Sequence, residues 1–149
     1  MSSNEPVLRV VHAQVQFEVA QVSGEVAQAT LIADREQRQA DELRQSCNAV
    51  AHELRGVMSR PRINPALLDA VRRLYQGECQ KRQAAQARLY AAQLREQQAR
   101  DALARLRNRQ RSLERALQAD RRKEQMKHQS FEIIRADEMW QQHAWRSEP

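Results

Sequence analysis

The chain has 149 residues, of which 30% are charged and only 4% aromatic, with three glycines, four prolines and two cysteines. So few turn residues exclude a many-stranded sheet, and the thin aromatic supply excludes a thick globular core. An abundance of Ala, Gln, Glu, Arg and Leu is typical of long helices and coiled coils. No apolar run approaches the roughly 18 residues of a membrane span. Without a visible secretory signal or disulfide framework, we expect a protein of the reducing cytosol.

The formal net charge of +6 is unevenly distributed. Residues 1–58 hold five basic and eight acidic residues, whereas residues 59–149 hold 20 basic and 11 acidic ones. A basic second half indicates an acidic protein surface or nucleic acid as partner, and charge alone does not choose between them.

A first helix is predicted over about residues 6–58. Small or apolar residues alternate at spacings of four and three, which is the repeat of a coiled-coil seam. The valines between positions 7 and 26 also favour a β-strand. We prefer a helix because the same spacing continues into the Ala- and Leu-rich part. The predicted seam contains Leu8, His12, Val15, Val19, Val22, Val26, Ala29, Ala33, Glu36, Ala40, Leu43, Cys47, Val50, Leu54 and Val57.

A turn is predicted at residues 59–64, followed by a second helix over about 65–143. Pro61 is excluded from a helix interior because it lacks a backbone donor and clashes with the preceding turn. Asn64 and Pro65 suit the N-cap and the first helical position, respectively.

The second helix carries a seam of the same kind. The apolar repeat is well maintained from Ala85 to Leu117 and partly resumes at Phe131 and Ile134. Between these segments it is interrupted by Asp120, Glu124 and Lys127. The residues involved are Leu68, Val71, Tyr75, Glu78, Arg82, Ala85, Leu89, Ala92, Glu96, Ala99, Leu103, Leu106, Gln110, Leu113, Leu117, Asp120, Glu124, Lys127, Phe131, Ile134 and Glu138.

Together these segments predict an all-α fold, a single domain built as an antiparallel two-helix coiled-coil hairpin with a longer C-terminal helix. At 1.5 Å per residue the helices would be about 75 Å and about 110 Å long, so the chain from Gln118 onward has no partner. That segment nevertheless carries exposed apolar residues: Phe131, Ile133, Ile134, Met139, Trp140 and Trp145. We interpret them as a docking surface for another protein. A frayed tail and a membrane-surface helix are the alternatives.

The start of the second helix is also rich in apolar residues. Leu67, Leu68, Val71, Leu74 and Tyr75 are more than one seam uses. They form either a local cap over the turn or a second docking surface, and the sequence leaves both open.

No catalytic pattern is recognisable. With glycines only at 24, 56 and 77 a phosphate-binding loop is not possible, and the histidines show no zinc-binding spacing. We therefore expect no enzymatic activity, no catalytic residue, no metal and no cofactor.

Two features admit a functional and a structural interpretation. Antiparallel pairing could bring Cys47 near Cys79, as a redox staple or, as we prefer, as a seam residue beside a flanking thiol. Residues 100–115 are dense in arginine and could grip phosphate. Because leucines at seam positions interrupt these arginines, we favour the interpretation that the arginines flank a coiled-coil seam over the interpretation that they bind phosphate.

Short motifs add a resemblance to a known family. Ser59-Arg60-Pro61-Arg62-Ile63-Asn64 precedes an apolar helix start, and Glu132 and Asp137-Glu138-Met139 lie near the end. With the hairpin pattern, these residues resemble the YscO/FliJ (SctO) stalk proteins of type III secretion. The resemblance implies a non-enzymatic cytoplasmic stalk, peripheral to the inner-membrane export apparatus, that links a hexameric ATPase to the cytoplasmic ring of the export gate and also escorts secretion chaperones.

The resemblance also implies where the partners bind. The ATPase would contact Arg121, Arg122, Phe131, Ile134, Met139 and Trp140, and the gate would contact Leu67, Leu68, Val71, Leu74 and Tyr75. No nucleic acid or membrane insertion is expected. The main alternative is a homodimeric scaffold in which the chain is one long helix, and a basic nucleic-acid-binding helical protein is a weaker one.

Overall fold

The computed structural model describes residues 4–147, which form two helices and no strand. Helix α1 spans Glu5–Met58 (54 residues) and helix α2 spans Pro65–Ser147 (83 residues). The predicted all-α hairpin with a longer second helix is confirmed, and the valine-rich start is helical. An arrangement of the chain as one long helix does not fit, because α1 ends at Met58.

The predicted start of α2 is confirmed in detail. The Asn64 Oδ1 atom accepts a hydrogen bond of 3.1 Å from the backbone N–H of Ala66, and the Asn64 carbonyl accepts one of 3.0 Å from Leu68. Pro65 follows as the first helical residue. The side-chain cap satisfies a donor that the helix leaves free, and proline has no donor to satisfy.

Burial follows the predicted seams. The buried residues all belong to them: Val15, Ala33, Ala40, Cys47, Val57, Ala85, Leu89, Ala92, Leu103 and Leu117. The intervening positions are mostly exposed, and of the α2 seam up to Asp120 only Arg82 is exposed. A 3.5-residue repeat thus identified which side of each helix meets the other.

The chain divides into two compact units, one containing Gln21–Leu103 and the other containing the earlier part of α1 and α2 from Ala104 onward. The single-domain expectation stays a prediction. In the first unit, Ala40, Ala85 and Leu89 form the centre of the core, and Leu43 packs against it. Alanine at the facing positions lets the two backbones approach closely because little side-chain volume separates them.

Polar residues accompany this alanine-rich core at its edges. The Thr30 hydroxyl donates to Glu96 at 3.4 Å, and Arg88 lies 3.5 Å from Glu36 as an ion pair that falls short of a hydrogen bond. Both partly buried carboxylates therefore face a donor or a cation on the other helix. These partners offset part of the cost of burying a charge in the seam.

The second unit pairs the beginning of α1 with the middle of α2. Val15 and Leu117 are buried there, His12 lies 3.3 Å from Glu114, and Arg121 donates to Glu5 at 3.3 Å. Pairing therefore continues to Arg121, a few residues past the expected limit at Gln118. The reason is the register, which places the first residue of α1 beside Arg121.

Candidate interaction surfaces

Beyond the Glu5–Arg121 pair, α2 continues as a helix through residues 122–147, here called the C-terminal extension. Every residue of the extension is exposed. A helix of this length without a partner is marginal when isolated, but here it only propagates a helix that is already nucleated. Side chains one turn apart add local support, as with His128 and Glu132 at 3.6 Å.

Seven large apolar side chains of the extension are exposed to solvent. Met126, Phe131, Ile133, Ile134, Met139, Trp140 and Trp145 are each 57–82% exposed. Indole and phenyl rings are costly to hydrate and dominate binding energy where proteins meet. The structure places the predicted docking residues in solvent, where a partner could reach them.

These apolar residues do not lie on one side of the helix. Phe131 and Trp140 are nine residues apart, which is about two and a half turns at 3.6 residues per turn, so they point in opposite directions. Phe131 shares its side with Ile134 and Trp145, whereas Trp140 shares the opposite side with Ile133 and Met126. A flat partner could cover one of these sides, and only a partner that surrounds the helix could cover both.

Charge contributes less to this surface than the sequence suggested. The extension holds five Lys or Arg and four Asp or Glu residues, so it is nearly neutral, and the arginine-rich stretch precedes it. Of the two arginines predicted to bind the ATPase, Arg121 is already paired with Glu5, whereas Arg122 is exposed.

The Glu5 carboxylate marks the place where the helix pair ends. Partial burial opposes its ionisation, but hydrogen bonds from the guanidinium groups of Arg121 and Arg9 outweigh this effect and hold the pKa of Glu5 below its ordinary value. Glu5 therefore remains ionised, and it ties the start of α1 to the last paired residue of α2.

The second predicted surface lies at the start of α2, and the structure separates its members. Leu68, Val71 and Tyr75 are half-buried in the seam, whereas Leu67 and Leu74 are exposed. Met58 and Ile63 are exposed close by in sequence and were not identified beforehand. Only Leu67 and Leu74 of the predicted set are therefore exposed, and a docking surface here stays a prediction.

A third apolar surface was missed from the sequence. Val7, Val10, Phe17 and Leu31 are 65–70% exposed on α1. Three of them, with Gly24, recur every seven residues as Val10, Phe17, Gly24 and Leu31, on the side of α1 opposite the buried seam. We call this set the outer stripe. The seven-residue spacing of these residues could have revealed the outer stripe. The apolar seam that faces α2 was the stronger repeat and was already sufficient to predict the helix.

No described helix is long and apolar enough to cross a bilayer. Among residues 4–147, no group of three or more His, Cys, Asp or Glu side chains could hold a metal ion. Comparison of the chain with known protein families, with curated proteins and with solved structures found no match.

Proposed function

We propose that the protein is a non-enzymatic stalk of a bacterial type III secretion export apparatus, which links the hexameric export ATPase to the export gate. The observation that carries the proposal is the C-terminal extension, a helix with solvent on every side and large apolar residues on opposite sides. The resemblance of the turn and of the C-terminal motif to YscO/FliJ proteins supports the same assignment.

The mechanism is mechanical. A helix that enters the central opening of a ring contacts several subunits at once, and the two apolar sides of the extension suit such a site. Because a single helix has no rotational symmetry about its axis, it contacts the subunits unequally and favours ATP binding at some of them. The exposed Leu67 and Leu74 would meet the gate. Secretion chaperones are further partners under this proposal.

ATPase stimulation tests this function. We expect the double substitution Phe131→Ala/Trp140→Ala to raise by roughly tenfold the stalk concentration needed for half-maximal stimulation, because two anchors on opposite sides are lost. Both side chains are exposed, so helicity measured by circular dichroism stays unchanged.

The matched control is Val10→Ala/Phe17→Ala, which removes comparably exposed apolar side chains from α1. We expect this variant to stimulate the ATPase as the unsubstituted chain does. Equal stimulation by both double variants would refute the assignment of the extension to the ATPase.

The outer stripe favours a second candidate, a homodimeric scaffold. An apolar repeat of seven residues on an exposed side of a helix is what a further helix would pack against. In this candidate two hairpins associate through α1, in contrast to the pairing of two single helices.

A further inference from the structure

Both cysteines of the chain meet at one point between the helices. Cys47 lies on α1 and Cys79 on α2, and their Sγ atoms are 3.5 Å apart. Cys47 is 2% exposed, whereas Cys79 is only partly buried. Sulfur atoms at this distance are in van der Waals contact, and forming a bond of about 2.05 Å requires them to approach by about 1.5 Å more.

The surroundings of the two thiols are polar and cationic on the open side. A groove of about 400 Å³ is lined by Cys79, Arg44, Arg82, Gln83 and Gln86. A small anionic molecule can therefore approach the Cys79 sulfur, and the Arg82 guanidinium would favour it electrostatically, whereas Arg44 is already paired with Asp41 at 3.1 Å. Cys47 is almost fully buried and absent from the groove lining, so Cys79 is the thiol that faces the groove.

The ionisation of neighbouring groups reflects the same contact. The Cys79 thiol and burial raise the pKa of Cys47, against an opposing effect of Arg82, and the Cys79 thiol also raises the pKa of Tyr75. A second negative charge beside these sulfurs is unfavourable, so Cys47 stays a protonated thiol until its partner reacts.

We propose that Cys47 and Cys79 form a reversible intrachain disulfide site that reacts with anionic low-molecular-weight disulfides of the glutathione type. The Cys79 thiolate attacks one sulfur of the external disulfide, whose S–S bond breaks and releases the first thiol with the proton that Cys79 gave up. Cys47 then loses its proton, attacks the Cys79 sulfur of the mixed disulfide and displaces the second thiol. The protein dithiol is oxidised by two electrons, and one external disulfide is reduced to two thiols.

The consequence is a covalent connection between α1 and α2 that encloses the end of α1, the turn and the start of α2. It constrains the unfolded chain and raises the midpoint of thermal unfolding by several degrees. The reaction is independent of the proposed stalk function, because it needs only the hairpin.

Equilibration of the full chain in mixtures of reduced and oxidised glutathione tests the site, with acid quenching, maleimide labelling and intact mass measurement. We expect both thiols to disappear together, giving an intrachain species about 2 Da lighter, with a disulfide equilibrium constant at least about tenfold larger in the folded chain than in urea. A folded chain that accumulates a glutathione adduct, or crosslinks no better than in urea, would overturn the proposal.

The matched variant is Cys79→Ser/Gln80→Cys, which keeps two thiols but moves one of them to the neighbouring exposed position on α2. We expect its disulfide equilibrium constant in the folded state to fall at least about tenfold, because successive helical residues point about 100° apart. If this variant crosslinks as readily as the natural pair, proximity on the hairpin surface is sufficient and the specific site is refuted.

Discussion

The Glu5 carboxylate connects the start of α1 to Arg121, the last paired residue of α2. Partial burial raises its pKa in the folded state, but hydrogen bonds from Arg121 and Arg9 together outweigh burial and hold the pKa below the ordinary value. A carboxyl with a lowered folded pKa stabilises the fold above its unfolded pKa of about 4.3, and this stabilisation is lost as the pH falls through the folded value.

The substitution Glu5→Gln removes this titration. We expect the free energy of unfolding of the unsubstituted chain to fall more steeply than that of the variant between about pH 6 and about pH 3. Urea unfolding at several pH values measures both slopes, and Glu53→Gln, at an exposed position of α1, serves as the control. If the Glu5→Gln slope matches that of the unsubstituted chain, the ion pair with Arg121 does not form in solution.

The individual site residues show where sequence reasoning reached its limit. Asn64 and Pro65 were predictable because capping is local and depends on the identity of two adjacent residues. The nine-residue separation of Phe131 and Trp140 also implies that they point in opposite directions on a helix. The prediction nevertheless grouped both residues into one docking surface. The pairing of Arg121 with Glu5 depends on the register between distant segments, which no local pattern specifies.

The core cluster between the helices contains two alanines. Ala85 is completely buried on α2, and it lies in a cluster with Ala40 of α1 and Leu89. The seam spacing predicted that these residues face each other. It could not predict how closely they approach, since that distance depends on the volumes of all facing side chains together.

A larger residue at this position separates the helices. We expect Ala85→Leu to lower the free energy of unfolding by about 1–3 kcal/mol, because overpacking a closely packed site forces strained rotamers or backbone shifts. The control Ala84→Leu adds the same atoms at the adjacent exposed position and changes stability by less than about 0.5 kcal/mol. Equal effects of the two substitutions in urea unfolding would show that the seam is loosely packed at Ala85.

Over the whole molecule, charge and apolar surface occupy different segments. The positive charge belongs to residues 59–149, but the extension within that half is nearly neutral and carries the largest exposed rings. Under the stalk proposal, salt therefore affects the rate at which the protein finds an acidic partner more than it affects the affinity of the extension. The outer stripe lies on α1, in the acidic half, so like charge would oppose its association with a second copy, and salt would strengthen that association.

The oligomeric state separates the two candidate functions, because a stalk acts as one copy in a ring and a scaffold acts as a pair. We expect a monomer of 17.3 kDa by light scattering at micromolar concentration. The apolar seams of α1 and α2 already pack against each other within one chain, and the net charge of +6 opposes self-association. In addition, Gly24 interrupts the outer stripe, because it has no side chain to bury.

A dimer that Phe17→Glu converts to a monomer would instead assign the outer stripe to self-association and favour the scaffold. A dimer unaffected by Phe17→Glu but abolished by Trp140→Glu would place self-association on the extension, and the surface on which the stalk proposal depends would then be occupied by a second copy.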